Sequence, residues 1–199
     1  MAFAFPHSGL APPSYRPCRA HELRTRIKEP FILFGGEVDI IGNDRLDYDD
    51  DILKRIDFVL GAMHSNYLNT IDDNTERVIN AIKNRYVDAI AHPTGVVFGA
   101  RAPYGFDMEK IFEAAIEHEK AFEINSYLLR LDLNDEYVRQ FKKMGGRFVI
   151  DTDSHRVDNI DMIKLGVGVA RRAGLEKDDI INTMELAELR KWKNERTGK

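Results

Sequence analysis

Residues 57–64 read DFVLGAMH and residues 87–92 read VDAIAH. In both stretches a short apolar run ends on a histidine, and such runs are typical of buried β-strands. Three further runs end in the same way on a residue that binds metals or activates water: FILFGGE at 31–37, AFEIN at 121–125 and RFVIDTDSH at 147–155. Each run is followed by residues with helical periodicity. Strands that alternate with helices form a parallel sheet, so the sequence predicts an α/β fold.

The predicted elements follow this alternation. Strands are expected at residues 31–41, 57–63, 87–91, 121–125 and 147–152, with a shorter one at 2–5. Gly35 and Gly36 predict a bulge or a close backbone approach within the first long strand. Asn182 and Glu185 resemble a capping box that opens a final helix. The other helices are predicted at residues 19–28, 72–84, 107–118, 134–144 and 162–173.

Length, charge and cysteine content narrow the class of protein. The 199 residues suit one domain, with an irregular segment at 1–30, a core at 31–194 and a flexible tail at 195–199. The net charge of −4 provides no overall basic field for nucleic acid, so a DNA substrate would need a local basic patch. Cys18 is the single cysteine, which fits a reducing compartment. No apolar run is long enough to span a membrane and the N-terminus does not resemble a signal peptide, so we expect a cytoplasmic protein.

Polar residues gather at the predicted carboxyl ends of the strands, where parallel sheets place their ligands. Glu37, His64 and His92 each follow a different strand and are the strongest candidates for metal ligands. Imidazole and carboxylate groups suit zinc, manganese or iron, and the absence of thiolates argues against a purely structural zinc site. Asp153 and His155 are two residues apart, so in an extended segment both side chains face the same way.

Two further residues are candidates for substrate binding. Arg101 lies in the loop after the strand that ends at His92, which places it on the active face. It is either a phosphate-binding residue or an ordinary surface arginine. Asn125 at the end of the fourth run either contacts substrate or holds a loop.

Several motifs together resemble the PHP (polymerase and histidinol phosphatase) family, and most closely the PHP domain attached to bacterial and archaeal family X DNA polymerases. They cover roughly residues 31–192 and comprise GGEVDI, LDYDDDIL, DFVLGAMHS, YVDAIAHPTG, EINSYLLRLDL, IDTDSH and GVGVARRAGLEKDDIINT. The resemblance implies a distorted (β/α)7 barrel, similar to a TIM barrel. It also implies phosphoester hydrolysis and up to three divalent ions, zinc or manganese, with iron or magnesium as alternatives.

The resemblance also implies roles for individual residues. Glu37 corresponds to the carboxylate that bridges two metals, and His64 and His92 to the ligands of the second metal. Asp153 corresponds to a ligand of the first metal and shares the catalytic role with Glu37. The third metal would use His155 and His7, the latter in FAFPHS with Pro6 where the family has aspartate.

The chain departs from the family pattern at its start, where it lacks the first strand and its His-x-His motif. We therefore expect a barrel incomplete at the N-terminus, one strong metal site with the others depleted, and possible pairing between copies of the chain through exposed edge strands. Val96 stands where polymerase-attached members often carry arginine.

Two functions follow from the resemblance. The first is a metal-dependent phosphoesterase that acts on nucleic-acid 3′ ends or on a small phosphate monoester such as histidinol phosphate. The alternative is a non-catalytic module with the PHP fold, inactive through loss of the His-x-His ligands.

Overall fold

The computed structural model describes residues 26–27, 31–42, 45–65 and 70–197. Within these residues five strands form one sheet in the order β1-β2-β3-β4-β5, with every neighbouring pair parallel. The strands are β1 (Gly35–Asp39), β2 (Phe58–Ala62), β3 (Ala89–Ile90), β4 (Ala121–Asn125) and β5 (Arg147–Asp151). This parallel sheet with intervening helices confirms the α/β class. Closure into a seven-stranded barrel stays a prediction.

The helices begin where polar side chains satisfy free backbone N–H groups. Thr70 accepts the N–H of Asp73 ahead of α2 (Ile71–Lys83), and Asp107 accepts that of Lys110 ahead of α3 (Met108–Glu117). Asn134 accepts two N–H groups ahead of α4 (Asp135–Lys143). No described helix is both long enough and apolar enough to cross a membrane. The described residues also form the helices α1 (Asp50–Leu53), α5 (Ile163–Arg172) and α6 (Leu186–Thr197).

A chain of aromatic contacts joins the sheet to helices α3 and α4. Phe141 of α4 is fully buried and lies 4.8 Å from Phe122 of β4 and 4.9 Å from Phe112 of α3, measured between ring centroids. Its ring also meets that of Phe148 in β5 edge to face. Large buried aromatic rings contribute strongly to core stability. These contacts therefore hold β4 and β5 in place, together with the polar residues at their carboxyl ends.

The first strand is shorter than predicted and has no bulge. It begins at Gly35 rather than at Phe31, and its pairing with β2 runs without a skipped residue. Gly36 does mark a close approach, because a Cβ there would lie 3.1 Å from Cδ1 of Ile56. The glycine therefore makes room for a packed side chain rather than for a break in the ladder.

The predicted capping box at Asn182 is wrong. The Asn182 side chain accepts the N–H of Ile150 at 2.7 Å and donates to its carbonyl at 2.9 Å, so it binds the outer edge of β5. The final helix begins at Leu186 instead, where Glu188 accepts the N–H of Glu185. A carboxamide carries one donor and one acceptor face, so it can replace a neighbouring strand locally. Part of the β5 edge that we expected to be exposed is thus covered within the chain.

α6 continues to Thr197, into the segment at 195–199 that the sequence predicts to be a flexible tail. Arg196 and Lys193 both form ion pairs with the buried Asp88, and Arg196 also stacks on Trp192. These contacts hold the last turns of α6 against the sheet. The predicted strand at 2–5, most of the predicted helix at 19–28, and His7 lie outside the described residues.

Replacing Asn182 with alanine should lower the free energy of unfolding by about 1–2 kcal/mol, because the N–H and C=O of Ile150 lose their partner. The exposed Asn194 of α6 provides the control, and its alanine variant should change stability by less than about 0.5 kcal/mol. Urea unfolding measures both values. Equal stability of the two variants would show that the contact to β5 is dispensable.

Candidate metal centre

Three side chains converge at the carboxyl ends of the first three strands. Glu37 lies in β1, and His64 and His92 follow β2 and β3. Oε1 of Glu37 lies 2.9 Å from Nε2 of His64 and 3.3 Å from Nε2 of His92. One ligand atom from each residue lies within 4.8 Å of the others, so the group, called here the Glu37 cluster, could hold a metal ion.

The donor chemistry of the Glu37 cluster fits a divalent ion. Two imidazoles and one carboxylate are the ligand set of many catalytic zinc sites, which leave the remaining position for water or substrate. Asp39 accepts the backbone N–H of His64 at 3.2 Å, and its carboxylate lies 3.6 Å from His64 Nδ1. A carboxylate beside the second ring nitrogen orients a ligating histidine, so Asp39 would orient the His64 ring for metal binding.

The electrostatics of the Glu37 cluster favour positive charge beside Glu37. Burial raises the pKa of the Glu37 carboxyl, but the opposing effect of His64 and His92 is larger and holds it well below its usual range. The neighbouring carboxylates of Asp39 and Glu37 raise the pKa of His64 to about 9. A ligating imidazole must be deprotonated, so metal binding here should release a proton from His64.

The backbone turn that carries His92 is held by two buried carboxylates. Glu123 of β4 accepts the N–H of His92. Asp132 accepts the N–H of Thr94 at 3.0 Å and that of Gly95 at 2.9 Å. His92 has a φ of 27°, which is unfavourable for a residue with a side chain. The two carboxylates therefore stabilise a strained turn that places the His92 ring beside Glu37.

Burial raises the pKa values of three carboxyl groups that lie outside the Glu37 cluster. It raises the pKa of Glu123 well above its usual range, with a further contribution from the charge of Asp151. It likewise raises the pKa of Asp151 and of Asp132. Two adjacent buried carboxyl groups do not both ionise readily, so the Glu123–Asp151 pair should keep a proton at a pH at which an exposed carboxyl has lost it.

The other predicted site residues lie outside the Glu37 cluster. Asn125 donates from Nδ2 to Asp153 at 3.3 Å and accepts the N–H of Tyr127 at 2.9 Å, so it both holds a loop and contacts Asp153. His155 is half exposed and its Nδ1 lies 2.8 Å from the carbonyl of Asp153. Arg101 donates from Nε to the carbonyl of Gly95 at 2.6 Å. Their roles as ligands or substrate contacts stay predictions.

Sequence reasoning missed several acids that support the cluster. Asp39 stands two residues after Glu37, Glu123 stands two before Asn125, and Asp151 two before Asp153. Residues two apart in a strand share a face, so the rule that paired Asp153 with His155 also identifies these acids. Asp132 has no such signal, because a loop brings it to the Thr94 backbone from 38 residues away in sequence.

Replacing Asp132 with alanine should lower the free energy of unfolding by about 2–4 kcal/mol, because two buried N–H groups would lose their acceptor. Asp135 is the matched control. It is partly exposed and pairs with Arg139 one helical turn away. Its alanine variant should lose less than about 1 kcal/mol. Chemical unfolding compares the two, and a similar small loss in both would mean that Asp132 does not hold the turn.

Several known proteins are similar in sequence to this chain. No family model matches the chain. It is 37% identical over 158 residues to DNA polymerase/3'-5' exonuclease PolX of Bacillus subtilis (strain 168), covering 79% of this chain and 28% of that protein. It is 31% identical over 187 residues to a protein named probable phosphatase from Thermoanaerobacter sp. (strain X514), covering 89% and 74%. A probable phosphatase of Acetivibrio thermocellus is 39% identical over 132 residues, covering 62% and 52%.

Proposed function

Because this chain belongs to the PHP-type family, we propose that it is a metal-dependent phosphoesterase. The observation that carries the proposal is the convergence of Glu37, His64 and His92 on one point at the carboxyl edge of the sheet. The names of the three relatives, one a DNA polymerase with 3'-5' exonuclease and two probable phosphatases, support the same class of reaction.

The roles of the chain's own residues follow from the geometry. Glu37, His64 and His92 would hold a divalent ion, zinc or manganese by preference, with iron or magnesium as alternatives. Such an ion supplies a Lewis acid and a water of lowered pKa at neutral pH. Asp39 orients His64. The resemblance further assigns Asp153, His155 and His7 to other ions, and it extends the described sheet into a distorted (β/α)7 barrel.

The proposed substrate is a phosphate ester of one of two kinds. Nucleic-acid 3′ ends fit the relative named as a 3'-5' exonuclease, although the chain spans only 28% of its length. A small monoester such as histidinol phosphate fits the relatives named phosphatases. Association of copies of the chain through exposed edge strands is a separate proposal, which light scattering at several protein concentrations tests.

The alternative is a non-catalytic module that keeps the fold and one metal. Among the residues that the structure describes, the Glu37 cluster is the one group of three or more such side chains with ligand atoms this close together. Hydrolysis by two metals needs a pair of ions about 4 Å apart. A single occupied centre would therefore favour binding over turnover.

A substrate panel separates these functions. The purified chain, stripped with a chelator and reloaded with Mn²⁺ or Zn²⁺, would be assayed on a chromogenic phosphoester, a 3′-phosphorylated oligonucleotide and histidinol phosphate. We expect metal-dependent turnover of at least one substrate. Metal binding without turnover of any of them would favour the non-catalytic module.

A further inference from the structure

The loop after β4 turns back over the carboxyl edge of the sheet. Asn125 at the end of the strand pairs with Asp132 in an antiparallel bridge. Between them Arg130 donates its backbone N–H to the carbonyl of Tyr127 at 2.8 Å, which closes a tight turn. This connection carries the Arg130 side chain back towards the end of β5, where Asp153 lies.

The guanidinium of Arg130 is mostly buried, and not all of its N–H donors have hydrogen-bond partners within the described residues. Its Nε lies 3.4 Å from Oδ2 of Asp153, and the side chain is 15% exposed. Asn125 donates to the same carboxylate oxygen, which limits the movement of Asp153. Nη1 of Arg130 is buried and has no hydrogen-bond partner within the part of the chain described here. Leaving a charged donor buried without an acceptor is costly, and binding an anion would remove that cost.

The surroundings of Arg130 are rich in negative charge. Asp153 contacts the guanidinium, and the Asn125 amide that donates to Asp153 at 3.3 Å also donates to Glu123 at 3.2 Å, so these two acids lie close together. A phosphate group that enters such a site needs cationic partners. Arginine suits this task because its planar fork matches two oxygens of a phosphate at once.

We infer that Arg130 binds the phosphoryl oxygens of the substrate through its Nη donors, while Asp153 holds its Nε. This inference rests on the proposed phosphoesterase function and adds to it a residue that contacts the substrate. Asn125 has a positioning role in this arrangement, because it donates a hydrogen bond to the Asp153 carboxylate that contacts Arg130.

Arg101, the candidate from the sequence, is less suited to this role. Its Nε donates to the carbonyl of Gly95, and its guanidinium stacks on the ring of Tyr104 with 4.9 Å between the guanidinium carbon and the ring centroid. Both contacts brace the turn that follows His92. Arg101 therefore stabilises the turn, whereas Arg130 keeps a buried donor without a partner beside Asp153.

The test compares Arg130→Met and Arg130→Lys with the wild-type chain, and uses Arg171→Met, at an exposed position of α5, as the control. Inorganic phosphate is the probe. Its affinity would be measured by calorimetry on Mn²⁺-loaded protein, beside the affinity for Mn²⁺ itself and the kcat and KM for a chromogenic phosphoester. Thermal unfolding establishes that each variant is folded.

We expect Arg130→Met to bind phosphate roughly 10- to 100-fold more weakly, with Arg130→Lys between it and wild type. Affinity for Mn²⁺ should stay within about threefold in both variants, since Arg130 is not a ligand. Unchanged phosphate affinity in Arg130→Met would overturn the inference. So would an equal loss of phosphate and Mn²⁺ affinity, which would mark Arg130 as structural. Phosphate binding that depends on Arg130 in a chain that turns over no ester would uphold the inference and overturn the proposed function.

Discussion

Replacing His92 with alanine should weaken the binding of one divalent ion by at least about 100-fold, and phosphoester hydrolysis should be lost with it. His92 is 2% exposed, and its Nε2 lies 3.3 Å from Oε1 of Glu37. Without His92 the Glu37 cluster keeps only two protein ligands, Glu37 and His64. A two-ligand site holds a divalent ion far less tightly than a three-ligand site.

Calorimetric titration of the chelator-treated protein with Zn²⁺ measures this loss. His118 at the end of α3 provides the control, because it lies outside the Glu37 cluster and its alanine variant should bind the ion as wild type does. We expect one tight ion per chain in the wild-type protein. An unchanged affinity in the His92 variant would show that the tight site lies elsewhere.

Replacing Gly95 with alanine should lower the free energy of unfolding by about 3–5 kcal/mol. Gly95 has a φ of +65°, and a Cβ at this position would lie 2.0 Å from the ring of Tyr104. Tyr104 is itself buried, and its hydroxyl contacts the carbonyl of Met63 beside His64. The ring cannot retreat without disturbing the strand end that carries a metal ligand, so metal affinity should fall as well.

Gly99 in the same loop isolates the steric part of this effect. It also has a positive φ, +77°, but nothing lies within 4 Å of an added Cβ. Its alanine variant should therefore lose only about 1 kcal/mol, the cost of the backbone conformation alone. Urea unfolding of both variants gives the difference. Similar losses at the two positions would mean that Tyr104 moves freely and that the turn is less rigid than its contacts indicate.

The sequence predicts the sheet well because buried parallel strands have a simple signature. The strand at residues 121–125 has the bounds that the sequence predicts. β5 is one residue shorter than predicted, β2 is one residue shorter at each end, and β3 is three residues shorter in all. The bounds of β1 were wrong because apolar residues before Gly35 pack without joining the ladder. Asn182 was misread because a capping side chain and one that binds a strand edge have the same sequence signal.

Part of the candidate site could be predicted from chain order alone, and part depends on tertiary contacts. Glu37, His64 and His92 could be found because each ends a short apolar run of the sequence, and parallel strands bring such ends to the same edge of the sheet. Their supporting groups come from distant segments: Asp132 reaches the turn after His92 from a loop, and Arg130 of the loop after β4 reaches Asp153 after β5. No local pattern fixes such approaches, since loop geometry decides them.

The central claim is that the Glu37 cluster holds the metal that the reaction needs. Turnover of a chromogenic phosphoester before chelation, after chelation and after return of Mn²⁺ tests it most directly, in wild type and in Glu37→Gln. Glutamine keeps the shape of glutamate but not the charge that binds the ion. We expect activity in wild type to vanish on chelation and return with metal, while the variant stays inactive throughout. Full activity of the chelated protein, or of the Glu37 variant with Mn²⁺, would contradict the claim.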